Sequence, residues 1–211
     1  MKRTRIRFPS GPLVLEGMLA IPEGAAPLPA VIVCHPHPLY GGSMDNNVVN
    51  SLAEALVQAS LVSFKFNFRG VGRSEGEFGQ GIGEQEDVKA AISFMSSIKE
   101  VDPKRIGLAG YSAGAGFAFP VGLNDERIKA LAAISPPFSM FDFDLLKSCF
   151  KPKLIVSGSE DDLTPTDHLL EFCQSLPEPK EYQIIRGADH FWQGYESQLA
   201  VKVTAFFTKA L

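Results

Sequence analysis

Apolar residues arrive along this chain in short, nearly unbroken runs separated by stretches with helical spacing. The runs are Ala30-Val31-Ile32-Val33-Cys34, Leu61 to Phe68, Arg105 to Ala109, Ile128 to Ile134, Lys153 to Ser157 and Tyr182 to Ile185. Runs of this length with little polar alternation fit strands covered on both faces. Between them, residues 46–59, 83–99, 113–123, 165–175 and 192–209 predict helices. In the second of these, Val88, Ala91, Ile92 and Met95 recur at three- and four-residue intervals, the stripe a crossover helix needs to cover a sheet. Strand and helix in alternation imply an α/β fold, a mostly parallel central sheet with helices on both faces.

Two extended segments, 3–8 and 12–20, precede the alternation. In the first, Arg3, Arg5 and Arg7 alternate with Thr4, Ile6 and Phe8, which predicts a strand with one wet, charged face. The single long irregular connection is 135–151, rich in Pro and Phe and too short for a separate domain. It is expected to wall a pocket. No internal repeat or linker interrupts the pattern, so the whole of 1–211 reads as one domain with minimal or no cap.

Composition narrows the function classes. The 211 residues are 45% hydrophobic and 21% charged, as in a soluble globular protein. Twenty Lys and Arg against 24 Asp and Glu leave a net charge of −4, without the basic excess of a nucleic-acid binder. The basic N-terminus is not followed by the apolar run of a signal peptide, and no segment has the length of a membrane span. Three cysteines, Cys34, Cys149 and Cys173, are odd in number and widely spaced, which indicates neither a disulfide framework nor zinc. The expectation is a cytoplasmic protein without nucleic acid, membrane or metal, a monomer or small homo-oligomer.

Gly110-Tyr111-Ser112-Ala113-Gly114 matches G-x-S-x-G. By chance alone the pattern would appear in ~14% of chains with this much glycine and serine, so its context decides. Here a buried strand precedes it and a helix opens after it, and that strand–turn–helix context holds a serine hydroxyl out at the carboxyl edge of the sheet. A serine needs a base, and four histidines are present. His190 follows the last strand and should emerge at the same edge as Ser112. His168 lies in a helix, while His35 and His37 follow the first core strand. The base needs an acid to orient it, and Glu160-Asp161-Asp162 follows the strand 153–157. Asp161 is preferred over Asp162 and over Asp189, which is too close in sequence to His190 to face it. For the oxyanion of an acyl-transfer intermediate, the N–H of Ala113 is one donor. The other should come from 35–42, where Pro36 and Pro38 have no N–H; Leu39 is the first choice and His37 the next.

The order Ser112, Asp161, His190 is that of the α/β-hydrolases. The chain resembles the small, lidless dienelactone-hydrolase-like and CocE-like acyl esterase branch of that superfamily. His35-Pro36-His37-Pro38 through Gly41-Gly42-Ser43-Met44-Asp45-Asn46-Asn47 is similar to the HPHP-x-x-GG-x-MDN segment of a group of predicted bacterial hydrolases. Arg69-Gly70-Val71-Gly72-Arg73-Ser74 resembles a segment common in the superfamily, and Gly81-Ile82-Gly83-Glu84-Gln85-Glu86-Asp87 also resembles that group. Gly70-Val71-Gly72 fails as a dinucleotide loop, because Glu75 stands where the third glycine belongs. The dienelactone hydrolases use a cysteine nucleophile, so Ser112 argues against dienelactone specificity. The resemblance implies acyl transfer through a Ser112 acyl-enzyme, with no cofactor, on small or short-chain esters or thioesters. His37, Tyr40, Phe138 and Phe141 are candidates to line the pocket. A peptidase or amidase with the same triad, an acyltransferase, and a catalytically idle hydrolase-fold binding protein are the rival readings.

Overall fold

The computed structural model describes residues 1–24 and 26–211. Strands β1 (Lys2–Ser10) and β2 (Leu13–Ile21) form an antiparallel hairpin, turned at Gly11 with φ 57°. The chain then enters β3 (Leu28–Cys34), α1 (Asn47–Gln58), β4 (Val62–Phe66), α2 (Ile82–Ser97) and β5 (Val101–Tyr111). It continues through α3 (Ala113–Asn124), β6 (Ile128–Ile134), β7 (Lys153–Gly158), α4 (Thr166–Ser175), β8 (Lys180–Ile185) and α5 (Glu196–Ala210). Eight strands make one sheet in the order β1-β2-β4-β3-β5-β6-β7-β8, parallel from β4 to β8.

The uninterrupted apolar runs are the central strands, and their side chains feed two cores. On one face Ile32, Phe64, Phe66, Leu108 and Leu131 pack with Val88, Ile92 and Met95 of α2, Phe117 of α3 and Leu169 of α4. On the other, Val31, Val33, Ala109, Ala132 and Val156 meet Val48, Leu52 and Leu56 of α1 and Leu199, Val203 and Phe207 of α5. The β1 arginines sit on the exposed positions of an edge strand, where charge discourages a second chain from pairing.

Buried polar groups tie the sheet edge to the loops. Asp87 of α2, fully buried, accepts from Ser10 Oγ at 2.7 Å and from Arg69 N, Nε and a terminal nitrogen at 3.0, 3.0 and 2.8 Å. Glu84 accepts from the N–H groups of Gly79 and Gly81 and closes the first turn of α2. In the Arg-Gly-x-Gly-x-Ser segment, Ser74 Oγ donates to Asn67 O at 2.7 Å, and a Cβ on Gly72 would lie 2.4 Å from Glu16 Oε1. That segment is a packed structural turn.

One helix begins later than its spacing suggests. The pattern predicts 192–209, but α5 starts at Glu196 because Trp192 and Gly194 take φ of 63° and 83°. Trp192 is fully buried in the turn before the helix. The segment 135–151 holds only one 3₁₀ turn, Asp144–Ser148. Among the described residues no helix is long and apolar enough to cross a membrane.

Candidate active site

Strand β5 ends at Tyr111, Ser112 takes φ 53° and ψ −126°, and α3 opens at Ala113. The turn is this tight because its flanking residues have no side chain. A Cβ on Gly110 would lie 2.4 Å from Ala115 N, and one on Gly114 2.5 Å from the carbonyl oxygens of Cys34 and His35. Ser112 is the N-cap of α3, yet its hydroxyl caps nothing there. That hydroxyl lies 3.0 Å from His190 Nε2.

The loop after β8 carries His190, and three contacts hold it. Tyr111 OH donates to His190 O at 2.6 Å, Asn47 Nδ2 donates to Phe191 O at 3.0 Å, and Trp192 Nε1 donates to Ser135 Oγ at 3.0 Å. His190 Nδ1 sits 2.9 and 3.1 Å from the two oxygens of Asp161. Asp161 is fixed in turn by the N–H groups of Leu163 and Thr164, both at 3.0 Å, and by Ser157 Oγ at 3.2 Å. Burial pushes the Asp161 pKa up, but hydrogen bonds from His190, Ser135 and Ser157 outweigh it and leave the carboxyl below its ordinary value. Ser112, Asp161 and His190 are all buried. Asp162 is exposed, and Asp189 accepts from the N–H groups of Phe191 and Trp192 in a local turn.

The four histidines divide by environment. His35 is fully buried with both ring nitrogens engaged: Nδ1 is 2.6 Å from Pro36 O and Nε2 accepts from Phe68 N at 3.1 Å. Burial lowers its pKa from 6.5 to about 4, so it is neutral. His37 lies at the mouth of the site, its pKa also lowered by burial. His168 is exposed and packs against Phe138.

A cleft of about 550 Å³ opens over Ser112 and His190. His37 and Tyr40 line it as expected, but Phe138 and Phe141 do not. Phe138 packs against Phe143 and Phe172, and Phe141 against Phe117, so these rings belong to the core beneath. A sequence rich in Phe gives no sign of which rings a loop turns inward. Met140, Leu163 and Phe191, which the pattern did not single out, form the apolar walls instead. Among the described residues, no Lys, Arg, Asp or Glu lines the cleft. Asn46 does, its Oδ1 capping α1 through Val48 N at 2.9 Å.

The choice of Leu39 as second oxyanion donor is corrected. Its N–H donates to His37 Nδ1 at 3.2 Å within the 3₁₀ turn Pro38–Tyr40, and its side chain is exposed, outside the cleft lining. His37 lines the cleft, and its own N–H has no acceptor among the described residues. The Ala113 N–H, first in α3, has no partner within the helix. A residue used as an N-cap side chain was not legible from the proline spacing alone.

Comparison with known proteins identifies the family and the fold. The profile of a family described as PETase, PET hydrolase-like, matches residues 85–209. An uncharacterised protein of Rickettsia prowazekii is 34% identical over 173 residues, 78% of this chain and 72% of that protein. Several other curated relatives are longer, this chain spanning 63% or less of their length. Among solved structures, an alpha-beta serine hydrolase homologue from Coxiella burnetii is 33% identical with a TM-score of 0.86, covering 100% of this chain and 98% of that one. A Xanthomonas campestris serine hydrolase described as being without a lid is 27% identical with a TM-score of 0.83, covering 100% and 96%.

Proposed function

This chain belongs to the PET hydrolase-like family of lidless α/β-hydrolases, and from that membership we propose that it is a serine esterase working through an acyl-enzyme on Ser112. The observation that carries the reading is the unbroken line from Asp161 through His190 to Ser112 Oγ, 2.9 and 3.0 Å, at the floor of an open cleft. His190 Nε2 takes the Ser112 proton as Oγ attacks the ester carbonyl, and the imidazolium is stabilised by Asp161. The N–H groups of Ala113 and His37 hold the oxyanion. His190 then gives the proton to the leaving alkoxide, and water, deprotonated by the same histidine, releases the acid.

The walls favour neutral, small or short-chain acyl groups. Without a charged lining residue, nothing compensates the desolvation of an ionised substrate. Thioesters satisfy the same geometry. A panel of p-nitrophenyl esters from acetate to palmitate, run on wild type and Ser112→Ala, tests the reading. Turnover should be greatest on short chains and fall by ~10⁴-fold or more in the variant. A loss of less than tenfold would remove Ser112 as nucleophile, and turnover of amides over esters would replace the esterase with an amidase.

A further inference from the structure

Two side chains of the cleft have their hydrogen-bonding sense set by a backbone N–H that each accepts. His37 Nδ1 accepts from Leu39 N at 3.2 Å, and Asn46 Oδ1 accepts from Val48 N at 2.9 Å. A backbone N–H only donates, so His37 Nδ1 carries no proton and the ring's one proton sits on Nε2. Burial, which lowers the His37 pKa from 6.5, keeps a second proton off the ring at neutral pH. By the same argument the Asn46 amide is held one way round, its oxygen on α1 and its NH2 group left for another partner. The His37 ring is also packed in place, with its centroid 4.7 Å from that of Tyr40 and 4.9 Å from that of Phe78.

These are the only side-chain hydrogen bonds that either residue makes among the described residues. Both residues are half-buried. Among the buried and half-buried described residues, the side-chain polar atoms that are sealed from solvent without a partner are Thr166 Oγ1 and Thr204 Oγ1. His37 Nε2 and Asn46 Nδ2 therefore stay open to solvent, and both residues line the cleft over Ser112. Carbonyl oxygens on the same wall are already engaged. Pro36 O lies 2.6 Å from His35 Nδ1, His37 O accepts from the N–H groups of Tyr40 and Gly42 at 3.1 and 3.0 Å, and Asn46 O accepts from Asn50 N at 2.9 Å.

We propose that His37 Nε2 and Asn46 Nδ2 are a specificity-determining pair of donors for a neutral acceptor, an ether or keto oxygen, carried by the ester in addition to its scissile group. The proposal deepens the esterase reading above and rests on it. In a cleft lined without charge, a neutral acceptor gains these bonds and avoids the desolvation cost of an ion. A purely alkyl chain in the same place takes the water from both N–H groups and returns nothing, the situation in which a polar site discriminates most. The chemistry is the same whether the acyl or the alcohol part carries the oxygen, so the test has an arm for each.

The probes are two isosteric pairs of esters, run on the full chain. The acyl pair is p-nitrophenyl 3-methoxypropanoate against p-nitrophenyl pentanoate, and the alcohol pair is 2-methoxyethyl acetate against butyl acetate. Within each pair one oxygen replaces one methylene. The readout is the kcat/KM ratio within a pair, compared between wild type and variant. That comparison cancels the intrinsic reactivity of the esters and any uniform loss through the backbone donor at His37. Asn46→Asp keeps the cap on α1, since aspartate caps as well as asparagine, and puts an acceptor where the donor was. His37→Phe keeps a ring against Tyr40 and Phe78 and removes the Nε2 proton. Each variant should lower the methoxy-to-alkyl ratio roughly fivefold in the arm that carries the oxygen. A fall in the acyl pair places the acceptor on the acyl side and a fall in the alcohol pair places it on the alcohol side, and either supports the proposal. Ratios within roughly twofold of wild type in both arms, for either variant, would overturn it. If one variant does not fold, the other decides. Turnover that vanishes in Ser112→Ala beside unchanged ratios would overturn this proposal alone. Turnover that survives Ser112→Ala, or a wild type that cleaves none of the four esters, would overturn the esterase reading and this proposal with it.

Discussion

Replacing Gly114 by alanine sets two effects of opposite sign against each other. Gly114 lies in the first turn of α3, where alanine is better than glycine by up to about 1 kcal/mol in helix propensity. The added Cβ, however, would lie 2.5 Å from the carbonyl oxygens of both Cys34 and His35, about 0.9 Å inside the 3.4 Å at which ordinary contact begins. Neither oxygen can swing aside, since both belong to the backbone at the end of β3. Overpacking against fixed atoms costs about 3 kcal/mol, the upper part of its usual range. The net loss of ~2 kcal/mol corresponds to a Tm drop of roughly 4–8 °C for a chain of this size. The displaced segment runs straight into His37, so a shift approaching 1 Å should also lower kcat by up to ~100-fold. Calorimetry and ester turnover on Gly114→Ala read both effects. Gly122→Ala in the same helix is the control: its Cβ would meet Leu108 Cδ2 at 2.8 Å and Leu131 Cδ2 at 2.9 Å, ends of side chains that can yield. A Gly114→Ala variant as stable as wild type, with unchanged kcat, would refute the steric account of the elbow.

His35 gives a pH signature of folding. Its folded pKa is depressed from 6.5 to about 4, so between those values the unfolded chain binds the proton and the native state does not. The stability it allows is complete above pH 6.5 and declines by about 3 kcal/mol as pH falls to 4; urea midpoints across that range should show a decline that His35→Gln lacks. Asp87→Ala should lose about 3 kcal/mol, the lower end for a broken buried pair, in the same assay, because it leaves the buried Ser10 hydroxyl and the partly exposed Arg69 guanidinium without their acceptor. Asp161→Asn should keep the fold and lower kcat by ~10⁴-fold, since the amide cannot stabilise the imidazolium, as steady-state turnover of p-nitrophenyl acetate would show.

Strand and helix positions were legible because the parallel sheet buries its strands on both faces, so β3 and the C-terminal parts of β5 and β6, residues 106–111 and 130–134, are written as nearly unbroken apolar runs. The site geometry followed from topology, since strands running the same way bring the ends of β5, β7 and β8 to one edge, and with them Ser112, Asp161 and His190. What the pattern did not disclose depended on side-chain direction. His37 folds back to cap the turn that occupies the Leu39 N–H, and the rings of Phe138 and Phe141 turn inward while Met140 faces the cleft. The start of α5 was misplaced for a related reason: an apolar Trp192 extends a helical pattern that its left-handed backbone interrupts.

The most direct test of the central claim, that Ser112 is a nucleophile activated by His190, is labelling with a fluorophosphonate followed by peptide mapping. The account predicts one adduct per chain, on Ser112, absent in Ser112→Ala and much slower to form in His190→Gln. No adduct on the folded wild type, or an adduct that persists in Ser112→Ala, would contradict it.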